Sequence, residues 1–142
     1  MMAGAAVPRT QASHVDRFVA AFLDGIILVP IYIVMFFIPF LGWAISGAIG
    51  AAWWLLRDAK GWSIGKKVMK LEVISKDGSP ATEDQLMKRN YTMAAGAALG
   101  AIPIVGLLGG LINLVECILV LAKGERYGDT MANTMVVKQL GA

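Results

Sequence analysis

Apolar stretches of membrane length alternate with short polar stretches along this chain, and the alternation predicts four transmembrane helices. They cover about Val15–Ile38, Phe40–Leu56, Thr82–Ala101 and Ile104–Ala122. With a rise of about 1.5 Å per residue, the second and fourth are near the shortest helix that crosses roughly 30 Å of hydrocarbon. The alternative is that the last two helices form one kinked span, which gives three crossings.

A turn and a corner recur at a nearly constant distance along the chain. The turn Ile38-Pro39 recurs 64 residues later as Ile102-Pro103, and the corner Ala59-Lys60-Gly61 recurs 63 residues later as Ala122-Lys123-Gly124. We therefore predict two parallel helix-hairpin repeats, about 15–76 and 82–140, related by an axis along the membrane normal. Chance similarity between apolar segments is the alternative.

Short apolar strands follow the second and fourth helices. Strands over Lys70–Ser75 and Thr134–Leu140 would pair as a small two-stranded β element beneath the helices. The segment Asp77–Pro80 is a turn signal, and Thr82 with Gln85 predicts a capping box where the third helix begins.

Small residues recur at a spacing of four along three of the predicted helices. Such faces let helix backbones approach closely in lipid, where the hydrophobic effect does not drive helix pairing. Because a 142-residue chain is short for a complete solute pathway, we expect these faces to build a homo-oligomer. They are Gly42, Ser46 and Gly50; Thr92, Gly96 and Gly100; and Gly106 with Gly110.

Composition supports a membrane protein. Hydrophobic residues make up 57% of the 142 residues and charged residues only 16%, and the mean hydropathy is +0.64. A soluble domain this short would leave too much apolar surface exposed. Residues 1–13 read as a flexible tail before a single transmembrane domain over 14–142, because they lack the apolar run of a signal peptide.

The placement of charge predicts the orientation of the chain. The net charge is +3, and the basic residues lie before the first helix, in the central polar segment and after the last helix. The positive-inside rule therefore puts both termini and the central segment in the cytoplasm, where the basic side chains would contact anionic lipid headgroups. We expect no nucleic-acid partner.

Asp24 is the only charged residue in the apolar stretch from Phe18 to Trp54. An acid inside a membrane span is usually paired, or it faces the protein interior or a water path. Arg89 is the first candidate for its partner. Pro30 would free the carbonyl of Ile26, one turn from Asp24, and a carboxylate beside a free carbonyl suits a cation or a proton. A salt bridge that locks the helices together is the alternative.

Glu116 is the second acid in a predicted span, and Asn113 shares its helix face at a spacing of three. Glu116 and Asp24 should lie at a similar depth, nearer the cytoplasmic side. Two acids at one level in a low dielectric resist joint ionisation, which suits proton or cation exchange. The alternative is that Glu116 bonds to a neighbouring helix or meets its symmetry mate in an oligomer.

No feature of the sequence indicates an enzyme. The single histidine, His14, precedes the first span, and no serine has a base nearby. The segment Gly61–Lys67 resembles a phosphate loop, but its spacing is one residue short and it follows a membrane helix. With one histidine and one cysteine, Cys117, we expect no disulfide within the chain, no N/S metal site and no cofactor.

Several motifs together resemble the RDD family of small bacterial membrane proteins over roughly residues 14–140. Gly128 is a departure, because many members have histidine there, and Trp62 and Glu116 look individual to this chain. The features that carry the resemblance are Arg17 and Asp24 in the first helix, the corner Gly61–Lys66, the strand Leu71–Val73, the turn Asp77-Gly78, Arg89, and Asp129 within Gly128–Val137.

The resemblance implies a multi-pass protein of the bacterial inner membrane. Transport is often assumed for the family, and cation/proton exchange has been suggested. We therefore expect a monovalent cation/proton transporter, or another small-solute transport component, that acts through Asp24, Glu116 and Asn113. Arg17, Arg89, Asp129 and Arg126 would form a structural or gating ion-pair network.

The alternative function is a non-transporting scaffold or assembly factor that binds partner membrane proteins. Acids reached by water would favour transport. A dry, fully paired bridge between Asp24 and an arginine would favour the scaffold.

Overall fold

The computed structural model describes residues 9–140 and is mostly helical, with a small three-stranded sheet. The helices are α1 His14–Ile26, α2 Val29–Phe36, α3 Leu41–Leu56, α4 Ile64–Val68, α5 Glu83–Lys88, α6 Tyr91–Gly100, α7 Gly106–Lys123 and α8 Tyr127–Ala132. The strands are β1 Arg9–Gln11, β2 Leu71–Ser75 and β3 Thr134–Gln139.

Two helical stretches are long and apolar enough to cross a membrane. They are His14–Phe36, which combines α1 and α2, and Gly106–Lys123, which is α7; the apolar helix Leu41–Leu56 is shorter. The predicted third helix is divided into α5 and α6 by Arg89 and Asn90. Its first turn carries the predicted capping box between Thr82 and Gln85.

The first predicted helix is interrupted at residues 27–28, and this changes the role of Pro30. The sequence predicts Pro30 inside a continuous helix, whereas the structure places it in the first turn of α2. Proline is tolerated there because the first amides of a helix have no carbonyl partner within it. The prediction that Pro30 lies inside an unbroken helix is therefore wrong, whereas a cation site at the carbonyl of Ile26 stays a prediction.

The backbone takes positive φ angles at three pairs of corresponding positions. Phe40 and Ile104 follow the prolines of the two predicted tight turns, with φ of 59° and 72°. Gly61 and Gly124 have φ of 68° and 72° at the two corners. The third pair is Lys70, which directly precedes β2, and Asn133, which directly precedes β3. Their φ angles are 56° and 55°.

The sheet has the order β1-β3-β2, and β3 pairs antiparallel with both neighbours. The predicted pairing of the segments around β2 and β3 is present, and Val73 lies opposite Val136 at its centre. The prediction of only two strands is wrong, because Arg9–Gln11 form a third. That strand lies in the segment predicted as a flexible tail, and residues 1–8 of the tail lie outside the described residues.

Polar side chains fill the interior where α1, the α3–α4 corner, the α5–α6 break and α8 meet. The largest fully buried side chains are Arg89, Asn90, Thr134, Asp24 and Asp129. The apolar surface instead faces outward at the opposite end, where Phe37, Phe40 and Ile104 are 77%, 78% and 88% exposed. Apolar exposure on this scale is typical of a surface that contacts lipid.

Candidate functional site

Asp24 lies on α1, is fully buried, and has three donors around its carboxylate. Arg57 donates from Nη1 to Oδ2 at 2.7 Å, and the hydroxyl of Ser63 donates to the same oxygen. The backbone N–H of Gly65 donates to Oδ1 at 2.8 Å. The Asp24 carboxylate is therefore a dry, hydrogen-bonded member of an ion pair.

The corner after α3 brings these donors to Asp24. Ser63 caps the N-terminus of α4, and Gly65 lies so close to α1 that a Cβ there would overlap the carbonyl oxygen of Ala20. Only glycine allows this approach. The prediction that Arg89 pairs with Asp24 is wrong, because Arg57, at the end of α3, takes that place.

Asp129 on α8 contacts the other three residues of the predicted ion-pair network. Arg89 donates to its Oδ1 from Nε at 2.8 Å and from Nη2 at 2.6 Å. Arg17 of α1 forms an ion pair with Oδ2, and the backbone N–H of Arg126 donates to it at 3.2 Å. The network therefore ties α1, the α5–α6 break and α8 together, while a gating role for it stays a prediction.

Asp58 is the third buried acid of this cluster, and the sequence reasoning missed it. It pairs with Lys66, accepts from Arg89 Nη1 at 2.5 Å, and accepts from the side-chain amide of Asn90 at 2.8 Å. Arg89 thus bridges Asp58 and Asp129. The signal was present in the sequence: Asp58 follows Arg57 directly at the end of an apolar helix, at the depth expected for Arg17 and Arg89.

Burial and neighbouring charge set the protonation states in the cluster. Burial alone would raise the pKa of Asp129, but Arg89, Arg126 and Arg17 together hold that pKa below its ordinary value. Burial opposes ionisation of Asp58 as well, and Lys66 and Arg89 hold its pKa well below the ordinary 3.8. Burial also lowers the pKa of Lys66, to about 7, despite Asp58. Both acids are therefore ionised at neutral pH.

The cluster predicts loss of stability in acid. Because folding lowers the pKa of Asp58 and Asp129 from 3.8, the stabilisation is complete above that value and is lost as the pH falls below it. We expect the thermal unfolding midpoint in detergent micelles to start to drop at about pH 4 and to fall most steeply from there down to about pH 2. Asp129→Asn should flatten this drop, whereas Glu83→Gln at an exposed position should retain it. Equal slopes in all three proteins would contradict the assignment.

Glu116 and Asn113, on α7, lie apart from this hydrogen-bonded cluster. Glu116 is 2% exposed, and its Oε2 is buried with no hydrogen-bond partner among residues 9–140. The Oδ1 of Asn113 is likewise buried and unpaired in that part of the chain. Most buried polar atoms in proteins do have partners, so two orphans one helical turn apart call for an explanation.

A cavity of about 470 Å³ opens beside Asn113 between α1, α2, α3, α6 and α7. Its wall is mainly apolar and rich in glycine, and Tyr32, Ser46 and Asn113 supply polar side chains. Gly100 and Gly110 face open space in this region, whereas a Cβ at Gly96 would overlap the side chain of Asn113 and the backbone of Gly109. The predicted small-residue faces therefore contribute both to close helix packing and to the cavity wall.

The structure thus separates the three predicted ion-binding residues. Asp24 belongs to the paired cluster, whereas Asn113 lines the cavity and Glu116 lies one turn farther along α7. Among the described residues, no group of three or more His, Cys, Asp or Glu side chains is arranged to hold a metal ion.

Comparison with known proteins gives one result. The model of the RDD family matches residues 11–133, which is most of the chain. No curated protein and no solved structure matches the chain.

Proposed function

This chain belongs to the RDD family, and we propose that it is a multi-pass inner-membrane transport protein for a monovalent cation or proton, with Glu116 and Asn113 as its binding residues. The observation that carries the proposal is the pair of buried, unpaired oxygens on these two residues. An intramembrane carboxyl beside an amide oxygen can take up a proton or a small cation.

The state of Asp24 supports moving the binding role away from it. Arg57, Ser63 and Gly65 occupy both of its oxygens, and Arg57 neutralises its charge. Protonating such a carboxylate would break a buried ion pair, which is expensive. We therefore assign Asp24 to holding α1 against the α3–α4 corner.

The cavity supports a solute path next to Asn113. It is large enough for a small solute, and its polar side chains, Tyr32, Ser46 and Asn113, come from three helices. Glu116 follows Asn113 by about 4.5 Å along α7. A cation or proton that leaves the cavity along α7 in this direction would meet the Glu116 carboxyl next.

We also propose that the two halves form the predicted repeats, with four crossings. The matching residues with positive φ are 64 positions apart for Phe40 and Ile104, and 63 apart for Lys70 and Asn133. The register of β2 and β3 centres on Val73 and Val136, also 63 apart, as a two-fold axis between the strands requires. The axis would run along the membrane normal, with both termini cytoplasmic.

The exposed part of the cavity wall supports a homo-oligomer. Gly100 and Gly110 have nothing to contact within 4 Å of a built Cβ. Small residues of this kind let a second copy approach closely in lipid. Exposed lysines such as Lys60 and Lys76 would meet anionic headgroups at the cytoplasmic surface.

A flux measurement with matched variants tests the proposal. Purified protein in proteoliposomes receives a pulse of sodium, lithium or potassium while the internal pH is recorded. We expect Glu116→Gln to reduce cation-dependent proton flux at least tenfold without changing the unfolding midpoint greatly. Glu125→Gln is the matched control. It replaces an exposed acid nine residues after Glu116 and should retain the flux.

A scaffold that binds partner membrane proteins is the second candidate, and the dry pairing of Asp24 favours it. It predicts no flux in the unmodified protein, although the protein is folded and oriented. That result would replace the transport proposal. Flux that survives in Glu116→Gln would instead move the binding site away from α7.

A further inference from the structure

A second, much smaller cavity lies inside the charged cluster. Its volume is about 30 Å³. About 10–15 Å³ measured in this way holds one water molecule, so this space holds about two waters or one halide ion. Five basic side chains line it, and no carboxylate of residues 9–140 does: Arg17, Arg57, Lys66, Arg89 and Arg126.

The charges around this cavity do not balance. The five basic residues pair with three buried acids, Asp24, Asp58 and Asp129, which leaves an excess of two positive charges while Lys66, whose pKa is about 7, is protonated. Glu116 interacts electrostatically with Arg126. When Glu116 is ionised, its negative charge reduces the excess positive charge to one. Uncompensated charge in a low dielectric is strongly unfavourable, so a small anion in the cavity would stabilise the fold.

One donor at this cavity is also unused. Arg57 is 2% exposed, and its Nη1 binds Asp24 while its guanidinium carbon lies 4.1 Å from the centre of the Trp54 ring. Its Nε is buried and has no hydrogen-bond partner within the described part of the chain. An anion that accepts from this N–H would satisfy a group that otherwise loses its hydrogen bond on folding.

An outer groove provides a route to the cavity. The groove has a volume of about 280 Å³ and shares Arg57, Lys66 and Leu71 with the inner cavity. Lys67 and Gly61 also line it. An anion attracted to the lysines of the groove could therefore reach the inner site by passing between Arg57 and Lys66.

We propose that this cavity is a binding site for one small monovalent anion of halide size, such as chloride. The cavity is too small for a phosphate or a lipid headgroup, and its basic lining excludes cations. The site is distinct from the proposed transport residues, because neither Glu116 nor Asn113 lines it, and Glu116 acts on it only through Arg126. Its occupant would complete the charge balance of the cluster.

Thermal unfolding in detergent tests the site, with sodium chloride replaced stepwise by sodium gluconate at constant ionic strength. We expect the midpoint to rise with chloride concentration and to saturate, as binding to the folded state alone requires. Bromide should act similarly, and anomalous scattering from bromide-soaked crystals should show one ion beside Arg57. Equal midpoints in chloride and gluconate would overturn the proposal.

Two valine variants separate a bound ion from a general salt effect. Val120→Ile adds a methylene to the cavity wall without changing charge, and it should abolish the saturating dependence on chloride. Val68→Ile adds the same group at a position that is 63% exposed, and it should retain the dependence. A chloride effect that persists unchanged in Val120→Ile would place the anion elsewhere and overturn the assignment.

Lys66→Met, which removes one positive charge while Asp58 keeps Arg89 and Asn90, should weaken chloride binding at least tenfold.

Discussion

Replacing Asp129 with asparagine should destabilise the protein by about 3–5 kcal/mol, which is the usual cost of removing one partner from a buried ion pair. Asp129 is fully buried and is the common partner of Arg17 and Arg89. Asparagine keeps the shape of the side chain but removes the counter-charge of Arg17 and one of the two acids that pair with Arg89. The free energy of unfolding, measured by denaturant titration in mixed micelles, gives the value directly.

Asp16→Asn is the matched control for this experiment. Asp16 also forms one ion pair, with Lys138, but that pair is partly exposed to solvent. Exposed pairs are usually worth about 0–1 kcal/mol, so this variant should unfold close to the unmodified protein. A loss in Asp129→Asn as small as that expected for Asp16→Asn would show that the buried cluster does not hold the fold together.

Replacing Gly65 with alanine should cost about 3 kcal/mol or more. The new Cβ would overlap the carbonyl oxygen of Ala20, so α4 must move away from α1. The movement also lengthens the hydrogen bond from the Gly65 N–H to Asp24, which is 2.8 Å in the structure. Overpacking and the loss of a bond to a buried carboxylate each cost about 1–3 kcal/mol.

Gly110→Ala is the control for the glycine substitution. Gly110 lies in α7 with open space around a built Cβ, and alanine is the better helix former there. The unfolding free energy of this variant should be unchanged or slightly higher. If Gly65→Ala were equally harmless, the close approach of α4 to α1 would not be required for stability.

Several parts of this architecture follow from the sequence alone, because local signals determine them. The apolar runs locate α3 and α7 within one or two residues, and Thr82 with Gln85 gives the start of α5. The equal spacing of the two turns locates Phe40 and Ile104. In each case, the information lies in hydrophobicity, a cap or a proline within a few residues of the feature.

Local sequence signals could not predict the ion-pair partner of Asp24. Counting residues along α1 puts Asp24 about 10 Å beyond Arg17, deeper than the polar corner that contains Ser63. The corner reaches Asp24 because Gly65 lets its backbone lie directly against α1. That is a contact between segments about 40 residues apart, and a single glycine is its only local trace.

The third strand of the sheet, β1, has even less local signal in the sequence. Arg9, Thr10 and Gln11 show no alternation of apolar and polar side chains, and all three are exposed. They form a strand because β3 presents a free edge on the side away from β2. Such pairing depends on the finished sheet and not on the strand's own residues.

The central position of β3 has a consequence for how the protein is made. β3 follows every other described helix and strand in the chain, yet β1 and β2 pair only with it. Asp129, just before β3, neutralises Arg17 and Arg89, which leave the ribosome much earlier. A nascent chain that stops short of α8 therefore leaves β1 and β2 without their partner strand and Arg17 without its buried counter-charge. The sheet and the charged cluster are completed only after α8 and β3 have been synthesised.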